Sequence, residues 1–262
     1  DERDGLTWGH DDRFKTGDRF HSGDDAVLKA LDAVRLDPLD PAAALPALGK
    51  VHAAIAGLPK AHPWREQKLK ETEDLLVACA GLHLEARAAT ATATPGSKWV
   101  VTLSALNRSQ APIRLVRAQV HGMAPHAFDK VLAANLPESV TRSVDLPETT
   151  PISTPYWLRD PADGELDHVE DKQLLGRPEG PPALQAAFEV HIAGRVLNVL
   201  RPVTYVWVDP VRGELSRPFE VAPVVTAALD RPVVMVANGK PVEVSVTVAA
   251  GKDSVAGTVQ LQ

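Results

Sequence analysis

The chain has 262 residues, a net charge of −6 and a pI near 5.8, with 44% hydrophobic and 24% charged residues. That length suits about two domains, or three small ones. The acidic balance leaves no excess of Lys and Arg to neutralise phosphates, which argues against a nucleic-acid partner, and no apolar run approaches the roughly 20 residues that span a bilayer as a helix. No signal peptide is visible, although this says nothing of location. The single Cys79 excludes an internal disulfide and falls in an apolar helical pattern, as a buried thiol does. The 22 prolines exceed the usual share of about 5%. Proline cannot donate into a strand ladder and collects at edges and connections, so this richness suits many short strands joined by loops.

Residues 1–21 are polar, with Trp8, Phe14 and Phe20 as candidate anchors on a neighbour. Residues 22–81 carry a helical period. Ser22 and Asp25 resemble a capping box, and Val27, Leu28, Leu31 and Val34 share a face. Asp37 and Pro38 stop that helix, and Pro41 suits the first turn of the next. Leu45, Leu48, Val51, Ile55 and Leu58 continue the stripe. A third helix is expected over residues 63–80, with Leu69, Leu76 and Cys79 inward, Glu66 pairing with Lys70, and Gly81 as the C-terminal cap.

At Leu82 the period changes to two. Leu82, Leu84 and Ala86 alternate with His83, Glu85 and Arg87; Pro95-Gly96 is a turn signal. Strands follow at residues 99–106, 113–120, 140–146, 188–192, 196–200 and 203–208, with Gly194 marking a hairpin. About seven short strands of this spacing predict an antiparallel, Ig-like β-sandwich. The stretch 147–182 interrupts them. It is long for a structureless loop, so it is either functional or held down by its aromatic residues. Beyond Pro223, apolar runs at 224–229 and 233–236, the turn Asn238-Gly239-Lys240, and alternating Val242, Val244, Val246 and Val248 predict a further hairpin. A last strand is expected over 255–261. Some 40 residues fall short of the roughly 100 of a sandwich, so this last domain reads as incomplete.

No phosphate-binding glycine loop, nucleophile elbow or HExxH motif occurs, so no catalytic residue is assigned. His10-Asp11-Asp12 has zinc- or iron-ligand chemistry but no second histidine at fixed spacing. His121 and His126 flank a turn. Glu165, Asp167, Glu170 and Asp171 offer oxygen ligands without a calcium-loop register. Solvated loops explain all three groups, and no metal site is assigned. Tyr156, Trp157, Tyr205 and Trp207 are the candidate carbohydrate-binding residues, since sugars stack on aromatic platforms; such rings equally build β cores. Asp209-Pro210-Val211-Arg212-Gly213-Glu214 closes a tight turn in which Arg212 and Glu214 can pair and Gly213 can turn left-handed.

The order Trp64, Lys68, Ala80-Gly81-Leu82, Leu84-Glu85-Ala86, Pro95-Gly96, Leu106-Asn107-Arg108-Ser109, Tyr156-Trp157-Leu158, Asp209 through Glu214, and Arg217-Pro218 resembles one region of large bacterial PIG-L/LmbE-family proteins. These are zinc-dependent N-deacetylases of N-acetylglucosamine-type substrates, and the resemblance covers about residues 20–262. It implies helical and β-sandwich segments that follow a Rossmann-like catalytic domain. That domain's His-Pro-Asp-Asp zinc motif and later histidine are absent here, and His10-Asp11-Asp12 lacks the proline. The resemblance therefore implies an accessory module without cofactor of its own, zinc belonging to a catalytic domain outside this chain. That domain is its implied partner, glycan a further one, and export to the periplasm or exterior the implied location.

The expected fold is thus α+β and multi-domain: an irregular segment at 1–21, three helices over 22–81, a β-sandwich over 82–218 with its long loop at 147–182, and an unfinished β domain from 219 to 262.

Overall fold

A computed structural model describes residues 24–120, 122–161, 164, 168–231, 233–235 and 241–258. Trp8, His10, Asp11, Asp12, Phe14, Phe20, Ser22, His121, Glu165, Asp167, Val236 and the expected turn Asn238-Gly239-Lys240 lie outside them. The fold is α+β and mostly strands. Its helices are α1 (Asp25–Asp32), α2 (Leu45–Ala56) and α3 (Arg65–Cys79), with a 3-10 turn at Pro41–Ala44 leading into α2. Its strands are β1 (Leu82–Ala88), β2 (Thr92–Ala93), β3 (Lys98–Asn107), β4 (Arg114–Val120), β5 (His126–Val131), β6 (Pro137–Asp145), β7 (Gln185–Ile192), β8 (Arg195–Asp209), β9 (Gly213–Pro218), β10 (Glu220–Val221), β11 (Val225–Leu229) and β12 (Val246–Ala250). Among the described residues no helix is long and apolar enough to cross a membrane.

Two compact units divide the chain. The first takes the described residues of Asp1–Glu85, Leu103–Val140 and Ala186–Arg201; the second takes those of Ala86–Thr102, Thr141–Gln185 and Pro202–Gln262. Strands β1, β3, β6 and β8 contribute residues to both.

In the first unit, Val27 of α1 packs on Val51 and Ile55 of α2, with Leu31, Leu58 and Leu69 around them. Burying side chains of this size contributes about 1.5–3 kcal/mol each. Helices α1 and α2 follow the sequence period, whereas α3 buries Lys68 and Thr72 alongside Leu76 and Cys79 and leaves Leu75 exposed; the polar details differ too. Asp24 stands at the cap of α1 without a side-chain capping bond; its carboxylate lies 3.3 Å from His62 Nε2 instead. Lys70 pairs with Asp74, not Glu66. Lys68 is buried and reaches Glu71 through its terminal ammonium, as a snorkelling lysine does. Gly81 ends α3 at φ 61°, its N–H donating to Ala78 O at 3.0 Å.

Strand β4 lies between β5 and β7, antiparallel to both; Ala118 faces His126 on one side and Phe188 on the other. Strand β5 had no clear signal. Its side chains are all partly or fully exposed and Asp129 is left-handed at φ 47°, so no apolar alternation marks it. Strands β7 and β8 join through Ala193-Gly194, both at positive φ (50° and 71°), the pattern of a type I′ hairpin.

The second unit departs further from an all-antiparallel expectation. Strand β1 runs parallel to β8, with Ala86 beside Val203, and β2 runs parallel to β10. Antiparallel pairs are β8 with β9 and β11 with β12. The residues expected as separate strands at 196–200 and 203–208 are one strand, β8. Pro202 donates nothing to the ladder, but Val203 N–H continues it to Leu184 O at 3.0 Å. Trp99 and Phe219, both fully buried, stack at 4.6 Å between centroids. The boundary expected between residues 218 and 219 therefore lies inside this unit. The final antiparallel pair joins Val225–Leu229 to Val246–Ala250, and residues 254–258 form no strand. The described part of the long stretch at 147–182 is packed down: Ser153 exchanges hydrogen bonds with Val221, and Leu174 is buried.

Gly49 on α2 explains how closely the β7–β8 turn seats. A Cβ there would stand 2.6 Å from Ala193 O, inside van der Waals contact with backbone. Gly49→Ala is therefore expected to lower stability by about 1–3 kcal/mol despite alanine's better helix propensity, measured by denaturant unfolding. An unchanged or raised midpoint would contradict this packing.

Candidate functional site

The four candidate aromatic residues belong to the second unit, where they form two pairs of different character. Tyr156 and Trp157 begin a short 3-10 turn, Tyr156–Leu158, in the long 147–182 stretch. Tyr156 is only 8% exposed, and its hydroxyl donates to Arg177 O at 2.9 Å. A buried ring with its hydroxyl satisfied inside the protein is an anchor for its own loop. Trp157 meets it edge to face at 4.9 Å and is half-buried.

Tyr205 and Trp207 are built differently. They sit two residues apart on β8 and so project from the same face of the strand. Their rings stack at 5.6 Å with 18° between planes, and both are half-buried. The register of β8 with β9 places Arg217 opposite Tyr205 and Leu215 opposite Trp207. On the other side of Tyr205 stands Ala88 of β1, too small to cover a ring. The exposed Arg217 donates from Nη2 to Glu220 Oε2 at 2.6 Å. This corner thus combines two stacked rings, which offer apolar ring surface, with a guanidinium–carboxylate pair that has further hydrogen-bonding capacity.

Arg217 and Glu220 were not among the sequence candidates. The signal for Arg217 was present: counting outward from the Asp209–Gly213 closure of the hairpin sets it beside Tyr205. Glu220 lies beyond the strand, and its approach is a tertiary matter.

The hairpin closes through Asp209. Its Oδ1 accepts the N–H groups of Arg212 at 2.8 Å and Val211 at 2.9 Å. Gly213 takes φ 80°. Arg212 and Glu214 do not pair across the turn as expected. Arg212 lies 3.7 Å from Asp209, and Glu214 lies 3.5 Å from Arg87 on β1.

Among the described residues no group of three or more His, Cys, Asp or Glu is gathered to hold a metal ion. Of the sequence candidates, His126 lies edge to face with Phe128 at 4.7 Å, and Asp171 accepts Gln173 N–H at 2.9 Å as a turn former. Cys79 is buried, and desolvation raises its thiol pKa, which keeps it protonated and unreactive.

No protein-family model matches the chain, and no curated protein matches it. Among solved structures, Pseudomonas fluorescens alkylpurine DNA glycosylase AlkC bound to DNA containing an abasic site analog aligns over 70% of this chain at 13% identity, with a TM-score of 0.24. This chain spans 47% of that one's length, and a score this low assigns neither fold nor function.

The Asp209 turn has a pH signature. The N–H of Arg212, then that of Val211, hold its carboxyl below the ordinary carboxylate range. The folded state therefore prefers the ionised form. Its contribution to stability is present above the ordinary carboxylate value and lost as pH falls through the lowered folded value. Asp209→Asn keeps the turn-forming oxygen and removes the titration. Its melting temperature is expected to fall less steeply than wild type on acidification, and superimposable profiles would contradict the assignment.

Proposed function

We propose that this chain is a non-catalytic accessory module of a PIG-L-like N-deacetylase, and that it recognises glycan through Tyr205 and Trp207. The observation that carries the recognition role is the stacked, half-exposed aromatic pair beside Arg217 and Glu220. A pyranose ring presents axial C–H groups on one face and hydroxyls around its rim. Aromatic surface takes the first and charged hydrogen-bonding groups the second. Tyr156 drops out of the binding set because it is buried and satisfied, and Trp157 is reserved as a flanking contact.

The family part of the reading rests on the sequence resemblance. Residues that carry it occupy geometrically demanding positions: Gly81 caps α3 at φ 61°, Gly96 turns at φ 75°, and Gly213 closes β8–β9. A shared scaffold accounts for such positions without shared chemistry. In this reading an Ig-like sandwich is the frame, the partner is a zinc-bearing catalytic domain, and the site of action is the periplasm or exterior. Deacetylase assays of this chain with added zinc should then give no turnover.

Titration with N-acetylglucosamine oligomers, followed by tryptophan fluorescence and calorimetry, tests the recognition role. Wild type is expected to bind saturably. Trp207→Ala is expected to weaken binding by about tenfold or more, equivalent to ~1.4 kcal/mol, with unchanged circular dichroism. Absence of binding, or equal affinity in wild type and Trp207→Ala, would sink this role.

A further inference from the structure

The first unit contains a cleft of about 670 Å³, within the usual range for small-molecule sites. Its floor is apolar: Leu45 and Ile192 are almost fully buried, with Cys79 beside them. Two opposite charges line it at its solvent-exposed edge, Asp40 and Arg108. Among the described residues neither side chain has a hydrogen-bond or ion-pair partner, and Asp40 leaves the helical turn it precedes uncapped. One wall is Ala193, a non-glycine residue held at φ 50° with its carbonyl pressed toward Gly49.

We propose that this cleft binds a small zwitterion with an apolar body, its carboxylate directed to Arg108, its ammonium to Asp40 and its hydrocarbon to the Leu45–Ile192 floor. Arg108 and Asp40 together match this class. A purely anionic or cationic ligand engages one of the two charges, and a ligand carrying both signs engages both. The apolar floor supplies the main attraction and the two charges fix orientation. The competing explanation is that Asp40 and Arg108 serve helix ends, Asp40 before the Pro41–Ala44 turn and Arg108 beside the end of α3, where its N–H donates to Gly81 O. That explanation requires no ligand and no selectivity among ligands. This site is independent of the glycan surface.

The test uses the full chain and three probes: the dipeptide leucyl-leucine, its N-acetyl derivative and its C-terminal amide, titrated by calorimetry and by amide chemical-shift mapping. The expected result is saturable binding of the dipeptide, with shifts at residues 39–46, 108–112 and 192–193. Each blocked derivative is expected to bind about tenfold more weakly. Arg108→Gln should equalise the acid and the C-terminal amide, and Asp40→Asn should equalise the free and acetylated amines. Absence of saturable binding, shifts centred elsewhere, equal affinity for all three probes, or unchanged selectivity in both variants would each overturn the proposal.

Discussion

One buried side-chain amide fixes the junction between the end of β3 and the end of α3 in the first unit. Asn107, at the end of β3, is 1% exposed. Its Nδ2 donates to Ala111 O at 3.0 Å and to Leu132 O at 3.4 Å, while its Oδ1 accepts from Ser109 N–H and Oγ. Ser109 Oγ also contacts Ala80 O at 2.8 Å, at the end of α3, and Ala111 N–H donates back to it at 3.1 Å. The backbone joins the same junction, with Asn135 N–H on Asn107 O. A polar group this deeply buried is tolerable because nearly all its capacity is used; removing one partner would strand others at about 1–3 kcal/mol each. The consequence is positional. The network fixes where residues 108–111 run against the last turn of α3, and so where Arg108 stands.

The second unit depends on apolar stacking in the same way. Trp99 and Phe219, 120 residues apart in sequence, meet face to face. Near them Phe219 N–H donates to Val203 O at 3.0 Å. This brings the strands on either side of the Asp209 turn back onto the start of β3, leaving Tyr205 and Trp207 partly outside the core. The aromatic surface is the part of β8 that emerges from burial: Val203 is covered, while Tyr205 and Trp207 are half so.

Much of this was legible in residue order. The change of period at Leu82 marked the change from helix to strand, because side chains repeat every 3.6 residues in one and every two in the other. Gly81, Pro95-Gly96 and the Asp209–Glu214 turn were legible because local backbone chemistry decides them. What escaped depended on distant partners. Nothing near Ala86 announces Val203 as a parallel neighbour more than a hundred residues on. Strand β5 lacks a buried face, so its periodicity is silent. The four aromatic residues were visible as a set. Their division into a buried anchor, Tyr156, with Trp157 against its edge, and a half-exposed stacked pair is a matter of tertiary burial, which composition does not encode. The cleft is assembled from four separated stretches, none of which forms a motif.

Amide hydrogen exchange on Asn107→Ala tests the junction most directly. Loss of the amide is expected to expose the N–H groups of Arg108, Ser109 and Ala111 to rapid exchange while the β4–β7 ladder remains protected. Retained protection at residues 108–111 in that variant would show that the junction stands without Asn107 and would contradict this account of the fold.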